Sequence, residues 1–130
     1  MKYEDMDQLN CGDLSEYDDI DIVSDINETG LGYTLSIITG KYKIVIMYWL
    51  SVYKTIRYNE LKRKIGTISH KTLSVALKDL ERDGIIIRKE YPQIPPKVEY
   101  SLSDRGKSLI PIFDAMCQWG YKNREWGKNA

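Results

Sequence analysis

The side chains best suited to chemistry fall in one short stretch, Ile68-Ser69-His70-Lys71-Thr72-Leu73-Ser74-Val75, with Lys78 close behind. His70 is the single histidine of the chain. As a general base it has no companion motif: no serine or cysteine elbow, no HExxH pair, no paired-acid signature. As a metal ligand it lacks partners at short spacing. Neither an enzyme, a metal centre nor a cofactor is expected. What remains is hydrogen bonding and charge. Leu73, Ala76, Leu77 and Leu80 recur at i, i+3, i+4 and i+7, so residues 70–83 read as a helix with that face inward. Ser69 is its N-cap, and Gly84 ends it. The outward face then carries His70, Lys71, Thr72, Ser74, Val75 and Lys78, none of them acidic. Asp79, Glu81 and Asp83 are confined to the far half. Lysines for phosphates or guanine acceptors, hydroxyls for either, and a valine for a thymine methyl are the groups that read a DNA major groove. The free N–H groups behind Ser69 suit a phosphate oxygen.

Other elements must hold this helix in place. Leu31, Leu35, Ile37 and Ile38 suggest a short helix closed by Gly40. Residues 42–53 are apolar almost all round and read as a central buried helix. Residues 55–57 suit a short strand. Asn59 is the expected cap of a helix over 60–65, stopped by Gly66. Residues 85–91 and the alternating Val98, Tyr100 and Leu102 form two strands of a hairpin, with a proline-stiffened tip at 92–97. Ser103 caps a last helix, lined by Leu109, Ile110, Ile112, Phe113, Met116, Cys117, Trp119 and Tyr121, which Pro111 is placed to kink. Helix, helix, strand, helix, helix, hairpin and helix, in that order, make an α+β, mainly helical architecture: a winged helix-turn-helix. Residues 66–68 are its turn and the hairpin is its wing. Arg88, Lys89, Gln93 and Lys97 on the wing, with Lys41, Lys43 and Arg63 on the preceding helices, are candidate backbone contacts.

Charge supports the same direction once it is resolved along the chain. The 19 basic and 19 acidic residues cancel. Yet residues 1–28 hold ten acids against Lys2 alone, a net of −9, leaving 18 bases and 9 acids, a net of +9, over 29–130. Ten carboxylates oppose compaction, so 1–28 is expected to be a mobile acidic arm, 29–123 the folded domain and 124–130 a frayed tail. An arm of that charge suits either occupation of the basic face or simple solubility. The longest apolar run, residues 44–50, is far short of the ~20 residues a membrane span needs. No apolar stretch near the N-terminus suggests a secretory signal. Two distant cysteines, Cys11 and Cys117, make neither a disulfide framework nor a zinc pair, so a reducing cytoplasm is expected.

Several motifs in fixed order carry a resemblance. They are Gly40-Lys41-Tyr42-Lys43, Arg57-Tyr58-Asn59-Glu60-Leu61, Ile68-Ser69-His70-Lys71-Thr72-Leu73, Leu77-Lys78-Asp79-Leu80-Glu81-Arg82-Asp83-Gly84-Ile85-Ile86, and Tyr91-Pro92 with Pro95-Pro96-Lys97-Val98-Glu99-Tyr100-Ser101-Leu102-Ser103 before Gly106. Over roughly residues 31–121 the chain resembles the HxlR-type winged-helix regulators, which are similar to the MarR group. The resemblance implies a bacterial, cytoplasmic homodimer that binds double-stranded DNA at an inverted repeat and controls transcription. It also implies that the first and last helices form the dimer, here through Leu35, Ile38, Ile110, Phe113, Met116 and Trp119. Many members sense oxidants with a cysteine shortly before the Gly-Lys motif. An ungapped match puts Thr29 there, followed by Gly30 where proline is usual, so that role does not carry over. Cys117 reads as a small buried apolar residue, and Cys11 has its thiolate disfavoured by nearby carboxylates. A small-molecule effector, and the alternative of a winged-helix interaction module that binds protein without specific DNA binding, both stay open.

Overall fold

The computed structural model describes residues 26–128. The chain divides after Thr39. In the first unit, a 3-10 turn at Ile26–Glu28 leads into helix α1, Gly30–Ile38. Thr29 caps α1, its side-chain oxygen accepting from the Gly32 N–H at 3.0 Å. The rest of the acidic segment, 1–25, lies outside the described residues.

The second unit contains the remaining elements: α2 (Lys43–Tyr53), β1 (Thr55–Arg57), α3 (Tyr58–Ile65), α4 (His70–Arg82), β2 (Ile86–Tyr91), β3 (Lys97–Leu102), α5 (Asp104–Lys107) and α6 (Ile110–Asn123). The sheet order is β1-β3-β2, antiparallel throughout. Residues 55–57 are therefore a third strand laid along the hairpin, pairing Ile56 with Tyr100. The core gathers Ile46, Met47 and Leu50 of α2, Ile56 of β1, Leu61 of α3, Leu73 and Leu80 of α4, and Ile85, each fully buried. The apolar spacing of α4 thus faces inward as its sequence requires.

Three expectations are corrected. α2 is not buried all round: Ile46, Met47 and Leu50 face the core, while Val45, Tyr48, Val52 and Tyr53 are exposed, because the small sheet and the two short helices cover only one side of it. α3 begins at Tyr58, one residue before the expected cap, with Arg57 in extended backbone as the residue that precedes it. β1 runs through Arg57 and delivers the chain straight into the helix, so Asn59 is already helical. Pro111 does not kink a long helix. Ser103 caps only the single turn of α5, and Pro111 stands in the first turn of a separate α6, where its missing N–H costs nothing. Beyond Asn123 the chain continues as hydrogen-bonded turns, Arg124 N–H to Gly120 C=O at 2.8 Å and Lys128 N–H to Glu125 C=O at 3.2 Å.

Candidate nucleic-acid interface

α4 starts with a well-made cap. The Ser69 hydroxyl accepts from the Thr72 N–H at 3.1 Å and donates to the Thr72 hydroxyl at 2.9 Å. His70, Lys71, Thr72, Val75 and Lys78 are exposed, and Val75 is 51% accessible despite being apolar. Lys71 and Lys78 have no ion-pair partner among the described residues. The carboxylates stay at the far end, where Arg82 Nη1 lies 3.0 Å from Asp79 and Arg82 Nε 3.6 Å from Asp83. The entering half of α4 is thus cationic and free of acids.

Tyr58, which sequence reasoning missed, braces this half. Its ring stacks on His70 with centroids 5.8 Å apart and planes inclined by 10°. Its hydroxyl lies 3.0 Å from His70 Nδ1, 3.4 Å from the His70 carbonyl and 3.4 Å from Ser74 Oγ. Ser74 is accordingly half-buried and turned toward α3 rather than outward. No periodicity in the sequence marks Tyr58, because its partners lie twelve and sixteen residues away.

Strand pleating separates the wing cations that the sequence groups together. Successive strand residues alternate faces, and cross-strand partners share one. Arg88 pairs with Tyr100, on the face shared with buried Ile86 and Leu102. The Tyr100 hydroxyl beside it holds the Arg88 guanidinium above its ordinary pKa, while burial raises that of the Tyr100 phenol. Lys89 pairs with Glu99 and Tyr91 with Lys97, on the opposite face. There Lys97 Nζ sits 2.8 Å from Glu99 Oε1, the Tyr91 hydroxyl donates to Glu99 Oε2 at 3.2 Å, and Lys89 and Lys97 both lie over the Tyr91 ring. The Lys97 ammonium bonded to it holds the Glu99 carboxyl below the usual carboxylate range. Arg88 is likewise engaged, its Nη1 3.3 Å from Glu90. Gln93 is exposed at the tip, where its backbone N–H donates to the Tyr91 carbonyl at 2.9 Å.

The helical cations also differ. Lys41 is exposed and lies over the Tyr42 ring. Lys43 is drawn inward: its side chain is only 12% exposed and its Nζ is 4.0 Å from Asp79 of α4. Arg63 is exposed and, with Arg57, Arg88 and Lys97, lines an open cleft of about 590 Å³ between α3 and the wing. Glu60 lines it as well, and Arg88 and Lys97 reach it from opposite faces of the wing.

Of the residues expected at a dimer contact, Leu35 is exposed and Ile38 buried in the first unit. On α6, Ile110 is half-buried and Phe113 belongs to the core, whereas Met116 is 48% and Trp119 69% exposed. Cys117 is exposed as well, contrary to the sequence expectation, since α6 buries only Phe113. Cys11 lies outside the described residues.

The profile of the HxlR-like helix-turn-helix proteins matches residues 37–128. The chain belongs to that family. An HTH-type transcriptional regulator of Halalkalibacterium halodurans is 58% identical over 102 residues, which cover 78% of this chain and 90% of the relative. A MarR-family regulator from Porphyromonas gingivalis W83 is 40% identical and superposes with a TM-score of 0.70 over 74% of this chain and 93% of its own. The redox regulator HypR in its reduced form is 38% identical, with a TM-score of 0.72 over 78% of this chain and all of its own. This HxlR-family chain is therefore a helix-turn-helix transcriptional regulator, with α3 and α4 as the two helices of the motif and β2-β3 as its wing. Among its described residues no single helix is long and apolar enough to cross a membrane.

Proposed function

We propose that this HxlR-family protein is a cytoplasmic, non-enzymatic regulator that works as a homodimer on an inverted-repeat operator. Each protomer sets the first half of α4 into a major groove, with half-sites about one helical turn or a multiple apart. His70, Lys71, Thr72, Val75 and Lys78 face the groove, the cap and first turn of α4 meet a phosphate, and Arg63, Arg88, Lys89, Gln93 and Lys97 flank the backbone. The two protomers join through α1 and the exposed side of α6, so that movement of those helices changes the spacing of the two α4 helices. The observation that carries this reading is the acid-free, cation-bearing first half of α4, exposed and braced by Tyr58 beside the open cleft between α3 and the wing.

Fluorescence anisotropy with the promoter of its own gene, measured across a salt series, tests it. Affinity falls steeply as salt rises, and the double variant K71E/K78E abolishes binding while the oligomeric state is kept. A flat salt response or no binding to any promoter fragment would indicate an interaction module that recognises protein, whereas undiminished binding by the variant would remove α4 as the groove-reading helix.

A further inference from the structure

We propose that Tyr58 is a positioning residue that presents His70 to DNA as a hydrogen-bond donor through Nε2. The inference rests on α4 being the groove-reading helix. Its starting point is the contact between the Tyr58 hydroxyl and His70 Nδ1 at 3.0 Å, together with the near-parallel stack of the two rings.

A neutral imidazole has one N–H donor and one bare acceptor nitrogen, and the partner of one nitrogen decides which form is kept. A phenol is a far stronger acid than a neutral imidazole N–H, so the single Tyr58 proton is best given to Nδ1 at 3.0 Å rather than to the His70 carbonyl at 3.4 Å. The Ser74 hydroxyl, 3.4 Å from the Tyr58 oxygen, stands where it can donate in turn and complete the chain. With Nδ1 occupied as acceptor, the ring proton resides on Nε2. That nitrogen has no partner among the described residues, and His70 is exposed at the first position of α4. The stack restricts the ring plane, so the donor is held in one direction before DNA arrives.

The ligand chemistry is a hydrogen-bond acceptor on the duplex, either the N7 or O6 edge of a purine or a phosphate oxygen. The neighbouring Lys71 and Lys78 supply charge, which draws any duplex. A directed donor adds discrimination, because a wrong acceptor position leaves it unpaired.

A double-mutant cycle on the full-length protein tests the assignment. Tyr58→Phe keeps the ring stack and removes the hydroxyl. It is expected to weaken operator binding about fivefold, in line with one hydrogen bond of ordinary strength. In a His70→Ala background the same change is expected to have no further effect. Long-range 1H–15N correlation spectra of the DNA-free protein provide an independent readout: Nδ1 is unprotonated in the wild type, and a second tautomer grows in with Tyr58→Phe. Equal losses in the two backgrounds, unchanged binding by Tyr58→Phe, or a protonated Nδ1 in the neutral ring would overturn the proposal. Titrating K71E/K78E in parallel separates the two levels. If that variant binds like wild type, the groove assignment of α4 has failed. If it does not bind and Tyr58→Phe is silent, only the role of Tyr58 has failed. A loss that follows single base-pair changes assigns the acceptor to a base edge, and a loss uniform across sequences assigns it to a phosphate.

Discussion

Lys43 Nζ lies 4.0 Å from Asp79 Oδ2, joining the first turn of α2 to the third turn of α4. Asp79 also receives Arg82 at 3.0 Å, so one carboxylate collects two cations and fixes the far end of the reading helix. A lysine that looks like a phosphate contact in the sequence is thereby a tether between helices. The pair is partly screened, which limits its worth to about 1 kcal/mol, and Asp79 keeps Arg82 as a partner when Lys43 is removed.

Lys43→Ala should therefore lower the urea unfolding free energy by about 1 kcal/mol and leave the slope of log affinity against log salt unchanged. Lys71→Ala should do the reverse, reducing that slope by about 1 with little effect on stability. A salt slope that changes on loss of Lys43 would return it to the DNA contacts.

Gly106 stands where the chain leaves the wing for the last helix. It is buried, and a Cβ there would penetrate the carbonyl of Ile85 and come within 3.0 Å of Leu102 Cδ2. Backbone cannot give way as a flexible side chain can, and the Ile85 carbonyl also accepts from the Ser103 N–H at 2.9 Å. Gly106→Ala is expected to cost about 2–3 kcal/mol, within the usual range for overpacking, read as a lower urea midpoint with an unchanged m-value.

The outer face of the wing should be acid-sensitive. Glu99 accepts from Lys97 at 2.8 Å and from the Tyr91 hydroxyl at 3.2 Å, and Lys97 in particular holds its carboxyl below the usual carboxylate range. A depressed folded-state pKa means that the stabilisation is present above the unfolded carboxylate pKa and lost as pH falls through the folded value. Wild type should thus exceed Glu99→Gln in thermal midpoint at neutral pH, and the gap should close below about pH 4. A gap that is constant with pH would assign the effect to packing instead of ionisation.

What was legible in the sequence was local. Ser69, the Leu73-Ala76-Leu77-Leu80 spacing and Gly84 each act within a turn or two, so α4 and its outward face could be read directly. Gly84 has φ +75°, the left-handed conformation that a helix stop demands. The family motifs extended this reading to the whole domain. What escaped depends on residues far apart in the chain. Lys43 is turned inward by Asp79, Ser74 is turned aside by Tyr58, and β1 gains a partner only when Ile56 meets Tyr100. The division of the wing cations was within reach: Arg88 and Lys89 are adjacent in a strand and must point to opposite faces. Cys117 and the outer residues of α2 misled because apolar side chains do not disclose whether neighbours exist to cover them.

The last helix separates a core role from an assembly role on one element. Phe113 is buried within the protomer, while Met116 and Trp119, one turn apart, stand 48% and 69% exposed. Exposed large apolar side chains on one helix face are the usual substance of a subunit contact. Trp119→Glu is expected to shift sedimentation equilibrium from dimer toward monomer and to weaken binding to a two-half-site operator much more than binding to a single half-site. Phe113→Ala is expected to lower stability by about 3–4 kcal/mol, as for an aromatic removed from a packed core, without a specific effect on the association constant of the folded fraction. An intact dimer in Trp119→Glu would exclude this face from the contact and leave α1 as the remaining candidate.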